Sequence, residues 1–132
     1  MIPDIPAGAA NNPFGRPLFN DPSVRKLARV GVVDIGSNSV RMVIFDGAAR
    51  SPAYFYNEKV MCALGAGISD TGRLNPEGRV RALAAVARFE AIAQSLGISP
   101  LTAVATAAVR DASDGREFCA DVLRETGLTV HV

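Results

Sequence analysis

Tryptophan is absent from the 132 residues and aromatic residues make up only 6%. Platforms that stack the bases of a single-stranded nucleic acid are therefore not expected. An excess of one charge is lacking as well: 14 Lys and Arg against 13 Asp and Glu leave a net charge of +1. That balance excludes nucleic-acid binding through a broad basic surface and leaves open only a local basic patch. Of the basic residues only Lys26 and Lys59 are lysines. No apolar run approaches the roughly 20 residues that span a bilayer, so no membrane partner is expected. Cys62 and Cys119 are the only cysteines. They stand far apart, with neither C-x-x-C spacing nor a histidine cluster, and are expected as free thiols in a reducing cytoplasm. A secretory leader is not expected either, because the start has no basic or apolar stretch and Pro3, Pro6 and Pro13 interrupt it. The expected location is cytoplasmic. The one histidine, His131, has no partner nearby in sequence and is not expected to bind metal.

What is present is enough apolar material, 48% of the chain, for one core. Five of the eight prolines fall in the first 22 residues, among Gly8, Asn11, Asn12, Gly15 and Asn20. Residues 1–29 are expected to be a flexible Pro-rich tail, its end a short basic lead-in, and 30–132 the folded domain. Two apolar runs around tight turns, 30–34 and 40–45, read as hairpin strands, and 54–60 reads as a third strand at an edge. Gly65, Gly67 and Gly72 mark a loop over 64–74. Asn75, Pro76 and Glu77 start a helix predicted to reach residue 96, before Gly97. Its core stripe is expected at Val80, Leu83, Ala84, Ala87 and Ala91, widened by Val86, Phe89, Ala93 and Leu96. Arg79, Arg81, Arg88 and Glu90 are expected mainly toward solvent. A strand at 101–105, a helix at 114–126 closed by Gly127, and a strand at 128–132 complete the order βββαβαβ. That order implies an α/β fold with a mixed sheet. No further helix follows the last strand, so an exposed sheet face and self-association as a homodimer are expected.

The chemistry concentrates at D-I-G-S-N-S-V-R, residues 34–41. An Asp at a strand end, followed by Gly36, Ser37, Asn38 and Ser39 in a tight turn, presents backbone N–H groups to one point. Small side chains let phosphate oxygens reach them. Asp34 is a hard carboxylate suited to Mg²⁺, and Arg41 carries a planar cationic fork two residues beyond the turn. The same residues also suit an ordinary hairpin turn capped by Asp and Ser; by themselves they leave both readings open. A second cluster, A-T-A-A-V-R-D-A-S-D-G at 105–115, would bring Thr106 and Arg110 near the turn, or simply place Arg110 and Asp111 on a solvated helix start. The glycines of the 64–74 loop match no nucleotide-binding fingerprint.

Taken together, D-I-G-S-N-S-V-R (34–41), L-G-A-G-I-S-D-T-G-R-L (64–74) and A-T-A-A-V-R-D-A-S-D-G (105–115) resemble the N-terminal part of the exopolyphosphatase/guanosine pentaphosphate phosphatase (Ppx/GppA) family. The resemblance covers about residues 30–132. It implies the first ribonuclease H-like domain of the actin-like ATPase superfold, truncated before its final helix. The activity it implies is hydrolysis of a terminal phosphoanhydride of inorganic polyphosphate or of pppGpp, with Mg²⁺. It maps Gly36, Ser37, Asn38 and Ser39 to the first phosphate loop, Asp34 to the metal, and Arg41 and Arg110 to the substrate side of the cleft. The family's catalytic glutamate and second phosphate loop have no counterpart here, so the general base is expected beyond Val132. The alternative implied function is a catalytically inactive phosphate- or polyphosphate-binding module on the same half-fold. A fragment of an acetate- or sugar-kinase-like enzyme would share the first turn but not the second cluster.

Overall fold

The computed structural model describes residues 29–46 and 53–132. Of the tail expected at 1–29, residues 1–28 lie outside those residues, as does Gly47 of the Asp46-Gly47 turn, whereas Arg29 is the first residue of the first strand. The elements are β1 (Arg29–Ile35), β2 (Ser39–Asp46), β3 (Ala53–Met61), α1 (Ile68–Thr71), α2 (Pro76–Ser95), β4 (Leu101–Ala105), α3 (Ala107–Asp111), α4 (Gly115–Thr126) and β5 (Val130–His131). All seven expected elements are present. The differences are two short helices, α1 within the expected loop and α3 after β4, and a last strand of two residues. One turn of helix is too short to leave a periodic signal in the sequence.

The strands form one mixed sheet in the order β3-β2-β1-β4-β5. Branched residues and period-two alternation drive β1, β2 and β3 into an antiparallel meander, with β3 at the edge. Strand β4 then joins β1 in parallel, and β5 joins β4 in parallel. Alternation sorts the sheet into two faces. Val33, Ile35, Val40, Met42, Ile44, Ala103 and Ala105 are buried. They meet Ala82, Ala85, Val86, Phe89 and Ala93 of α2 and Phe118 and Val122 of α4 in one core. The described helices cover this face only. The other carries Val30, Asp34, Arg41, Lys59 and Met61, all exposed.

Helix α2 starts as expected: the Asn75 side chain accepts from the Gly78 N–H at 2.9 Å, with proline at the first position. Its core face falls only partly where the apolar periodicity puts it: Val86, Phe89 and Ala93 are buried as expected and Leu83 packs against the core, but the rest of the stripe is not. Val80 is 70% exposed, Ala84, Ala87 and Ala91 face solvent, and the buried positions are Gly78, Ala82, Ala85, Val86, Phe89 and Ala93. Alanine occurs on every side of this helix, so hydrophobicity alone does not choose a face. The glycine does. A Cβ on Gly78 would lie 2.9 Å from the Ala63 carbonyl oxygen and from the Leu64 Cα, so only a glycine lets the helix approach that backbone so closely.

Arg79 is likewise not turned to solvent. It bridges α2 to the α4 region, donating to Asp114 at 3.1 Å and to Asp121 at 2.7 Å. Cys62 is buried and Cys119 half-buried, both free thiols, and burial pushes both thiols above their ordinary value.

Candidate phosphate-binding site

The turn between β1 and β2 closes on itself through Gly36 N–H to the Ser39 carbonyl at 2.9 Å. That amide is spent within the turn, so any part Gly36 plays rests on its lack of a side chain rather than on its N–H. The next two amides differ: among the described residues neither Ser37 N–H nor Asn38 N–H has an acceptor. Ser37 is half-buried and Asn38 exposed. Two successive unspent amides in a tight turn are donors of the kind an anion can take.

The turn is held from two sides. The Asn38 carbonyl accepts from Cys62 N–H at 2.9 Å and Ala63 N–H at 3.0 Å, and the Ser37 carbonyl accepts from Gly65 N–H at 2.9 Å. Ala63 adopts φ 56 to make this contact, a left-handed conformation costing about 1–2 kcal/mol in a non-glycine residue. Gly65 fits because a Cβ there would lie 3.1 Å from the Ser37 Cβ and 3.5 Å from the Ala108 Cβ. From the other side Thr106 N–H donates to the Ile35 carbonyl at 3.2 Å. The three segments singled out in the sequence therefore meet at one end of the sheet, above the carboxyl ends of β1 and β4.

Asp34 and Arg41 are direct partners across β1 and β2, on the open face next to the turn. Both are exposed. The structure thus brings together Asp34, Gly36, Ser37, Asn38, Ser39 and Arg41. It does not show Arg110 joined to them by its side chain. Arg110 sits exposed on α3, paired with Asp111 at 2.9 and 3.3 Å. It lines a cavity of about 400 Å³ with Val109, Arg116, Cys119, Val130 and Val132. The Asp111 hydrogen bond raises its pKa, and the same bond lowers that of Asp111.

Asp114 is a residue that sequence reasoning misses, read there as the start of a helix. Its side chain makes no cap. It is buried, accepting Leu74 N–H at 2.9 Å and Arg79 at 3.1 Å, with Arg73 at 3.7 Å. Ser113 N–H donates to the Gly72 carbonyl at 2.8 Å. The glycine loop is thereby stapled to the segment that carries Arg110. The partners are 40 residues apart, so no local pattern announces them.

A five-stranded mixed sheet of this order, with helices on one face, is the first α/β domain of the actin-like ATPase fold. Residues 43–132 match the Ppx/GppA phosphatase family, and the chain belongs to it. The 34–39 turn lies just ahead of the matched residues. Exopolyphosphatase 1 of Mycobacterium tuberculosis is 32% identical over 101 residues, covering 76% of this chain. Among solved structures, the Aquifex aeolicus Ppx/GppA phosphatase superimposes with a TM-score of 0.74 at 31% identity over 79% of the chain. An exopolyphosphatase from Cytophaga hutchinsonii gives 0.71 at 30% identity over 77%. The chain spans 29% of the mycobacterial relative and 35% and 33% of the two solved chains.

Proposed function

We propose that this chain forms the first phosphate-binding wall of a phosphatase that hydrolyses a terminal phosphoanhydride of inorganic polyphosphate or of pppGpp. The observation that carries this reading is the pair of unspent amides at Ser37 and Asn38, flanked on the open face by Asp34 and Arg41. The amides and the Ser39 hydroxyl donate to oxygens of the terminal phosphate. Arg41 offers its guanidinium fork to the same group, and preorganised donors of this kind stabilise charge that grows as the anhydride breaks. Arg110 joins the substrate side by exchanging Asp111 for phosphate. The cytoplasm is the proposed location; among the described residues no helix is long and apolar enough to cross a membrane.

Magnesium fits the donor set. Among the described residues no three His, Cys, Asp or Glu converge as a closed metal cage. Asp34 instead offers one exposed carboxylate beside a seat for phosphate, and Mg²⁺ is commonly bound by one or two carboxylates with substrate phosphates and water. The ion supplies neutralisation of phosphate charge; Asp34 supplies its anchor.

This division of labour predicts a change of sign. Without magnesium the Asp34 carboxylate repels a polyphosphate, and with magnesium it recruits one. Asp34→Asn should therefore bind polyphosphate at least as tightly as wild type in EDTA and gain little on adding Mg²⁺, whereas wild type gains strongly. Calorimetric titration with polyphosphate and with pppGpp in both conditions checks this. Equal magnesium dependence in the two proteins would remove Asp34 from the site.

A further inference from the structure

Most cations among the described residues are already engaged. Arg73, Arg79, Arg81, Arg88, Arg110 and Arg124 each lie within 4.0 Å of an acidic oxygen. Arg41 and Lys59 do not: among the described residues neither side chain has an ion pair or hydrogen bond. Yet these two face each other. Arg41 of β2 is the direct register partner of Lys59 of β3, just as it is of Asp34 on its other side. Cross-strand partners share a face with their Cβ atoms about 4.5–5.5 Å apart, and like charges there are destabilising. Both side chains are exposed on the open face. Asp34, beside Arg41, is the one acid in this row; the neighbours along the strands add none, Ser39 pairing with Met61 and Val43 with Asn57. An anion placed between the two cations would turn that repulsion into attraction.

The position of the pair says which anion. The row Asp34, Arg41, Lys59 crosses from β1 to the β3 edge, one strand spacing of about 4.8 Å per step. On the reading of the turn as the phosphate seat, Arg41, two residues past Ser39, serves a single phosphate held by the Ser37 and Asn38 amides. A linear chain of phosphates continuing outward reaches Lys59.

We propose that Arg41 and Lys59 form a second anion subsite on the open sheet face, which takes the phosphate groups behind the terminal one in a condensed phosphate. Lys59 is its specificity-determining residue, favouring chains of several phosphates over a single one. The proposal rests on the reading of the 34–39 turn as the seat of the terminal phosphate.

The test is calorimetric titration of the 132-residue chain with orthophosphate and with tripolyphosphate at low salt. Lys59→Gln should weaken tripolyphosphate binding about tenfold, the loss of one charge-assisted contact, and leave orthophosphate binding unchanged. Lys59→Arg should restore most of the loss. Arg116→Gln removes an equal charge from α4 on the helix-covered side and should change tripolyphosphate affinity by less than about twofold. A Lys59→Gln protein with unchanged tripolyphosphate affinity, or with equal losses for both ligands, overturns the subsite. Asn38→Asp separates the two readings by placing a negative charge in the turn. If it weakens both ligands while Lys59→Gln weakens neither, the turn stands and the subsite falls. If it weakens neither while Lys59→Gln weakens tripolyphosphate, the subsite stands and the turn reading falls. Absence of tripolyphosphate binding by the wild-type chain overturns both.

Discussion

Asp114 is the one charged residue buried in the core of the described structure, only 5% exposed. Burial pushes its carboxyl up, but the Leu74 N–H, its own amide, and Arg73 and Arg79 outweigh that and hold it below its ordinary value of 3.8. A carboxyl depressed in the folded state stabilises the fold above its unfolded value and loses that contribution as pH falls through the folded one. Asp114→Ala leaves the Leu74 amide unpaired and Arg79 short of a partner, which should cost about 2–4 kcal/mol. Asp114→Asn keeps an acceptor for Leu74 and loses only the charge, so it should cost less. Thermal melts between pH 7 and pH 3 check the sign. The gap in Tm between wild type and Asp114→Asn should hold steady down to about pH 4 and close below it. A gap that widens in acid would contradict this account of the residue.

Helix α2 shows how an element takes its face from one close approach. In an exposed helix, replacing glycine by alanine gains about 1 kcal/mol. At Gly78 the same change drives a Cβ to 2.9 Å from Ala63 O and Leu64 Cα and 3.0 Å from Cys62 O. These are backbone atoms and cannot turn aside. Gly78→Ala should therefore destabilise the chain by about 1–3 kcal/mol, as overpacking does, and urea unfolding measures it; stabilisation would show that the approach is not tight. The start of this helix was legible in Asn75, Pro76 and Glu77, because a cap is a local feature. Its core face was legible only in Val86, Phe89 and Ala93, because Ala82 and Ala85 look like Ala84 and Ala87 until the segment at 62–64 is placed against Gly78. Arg79 follows the same logic: its acids, Asp114 and Asp121, lie 35 and 42 residues away.

Across the whole molecule, strand β1, its turn and β2 could be read directly from the alternation and the small residues at 36–39. The order of elements implied a mixed sheet without saying which strands pair; the parallel pairing of β4 with β1 is what sets the Thr106 amide on Ile35. The meeting of all three motifs depends on contacts across the fold: Gly65 on Ser37, Cys62 and Ala63 on Asn38, Ser113 on Gly72. Their physical result was not readable in advance, because it consists in which amides are consumed. Gly36 spends its N–H inside the turn, and Ser37 and Asn38 keep theirs.

Those two amides are where the account is most exposed to test. Titrating the ¹⁵N-labelled 132-residue chain with orthophosphate, and following backbone amide shifts by NMR, reports directly on the atoms concerned. The largest downfield shifts should fall on Ser37 and Asn38, with the Arg41 side chain responding and the Gly36 amide, already bonded to Ser39, moving less. Shifts centred on Arg110, Arg116 and Val130 with the turn silent would place the anion in the cavity beside β5 and contradict the assignment of the phosphate site to the turn.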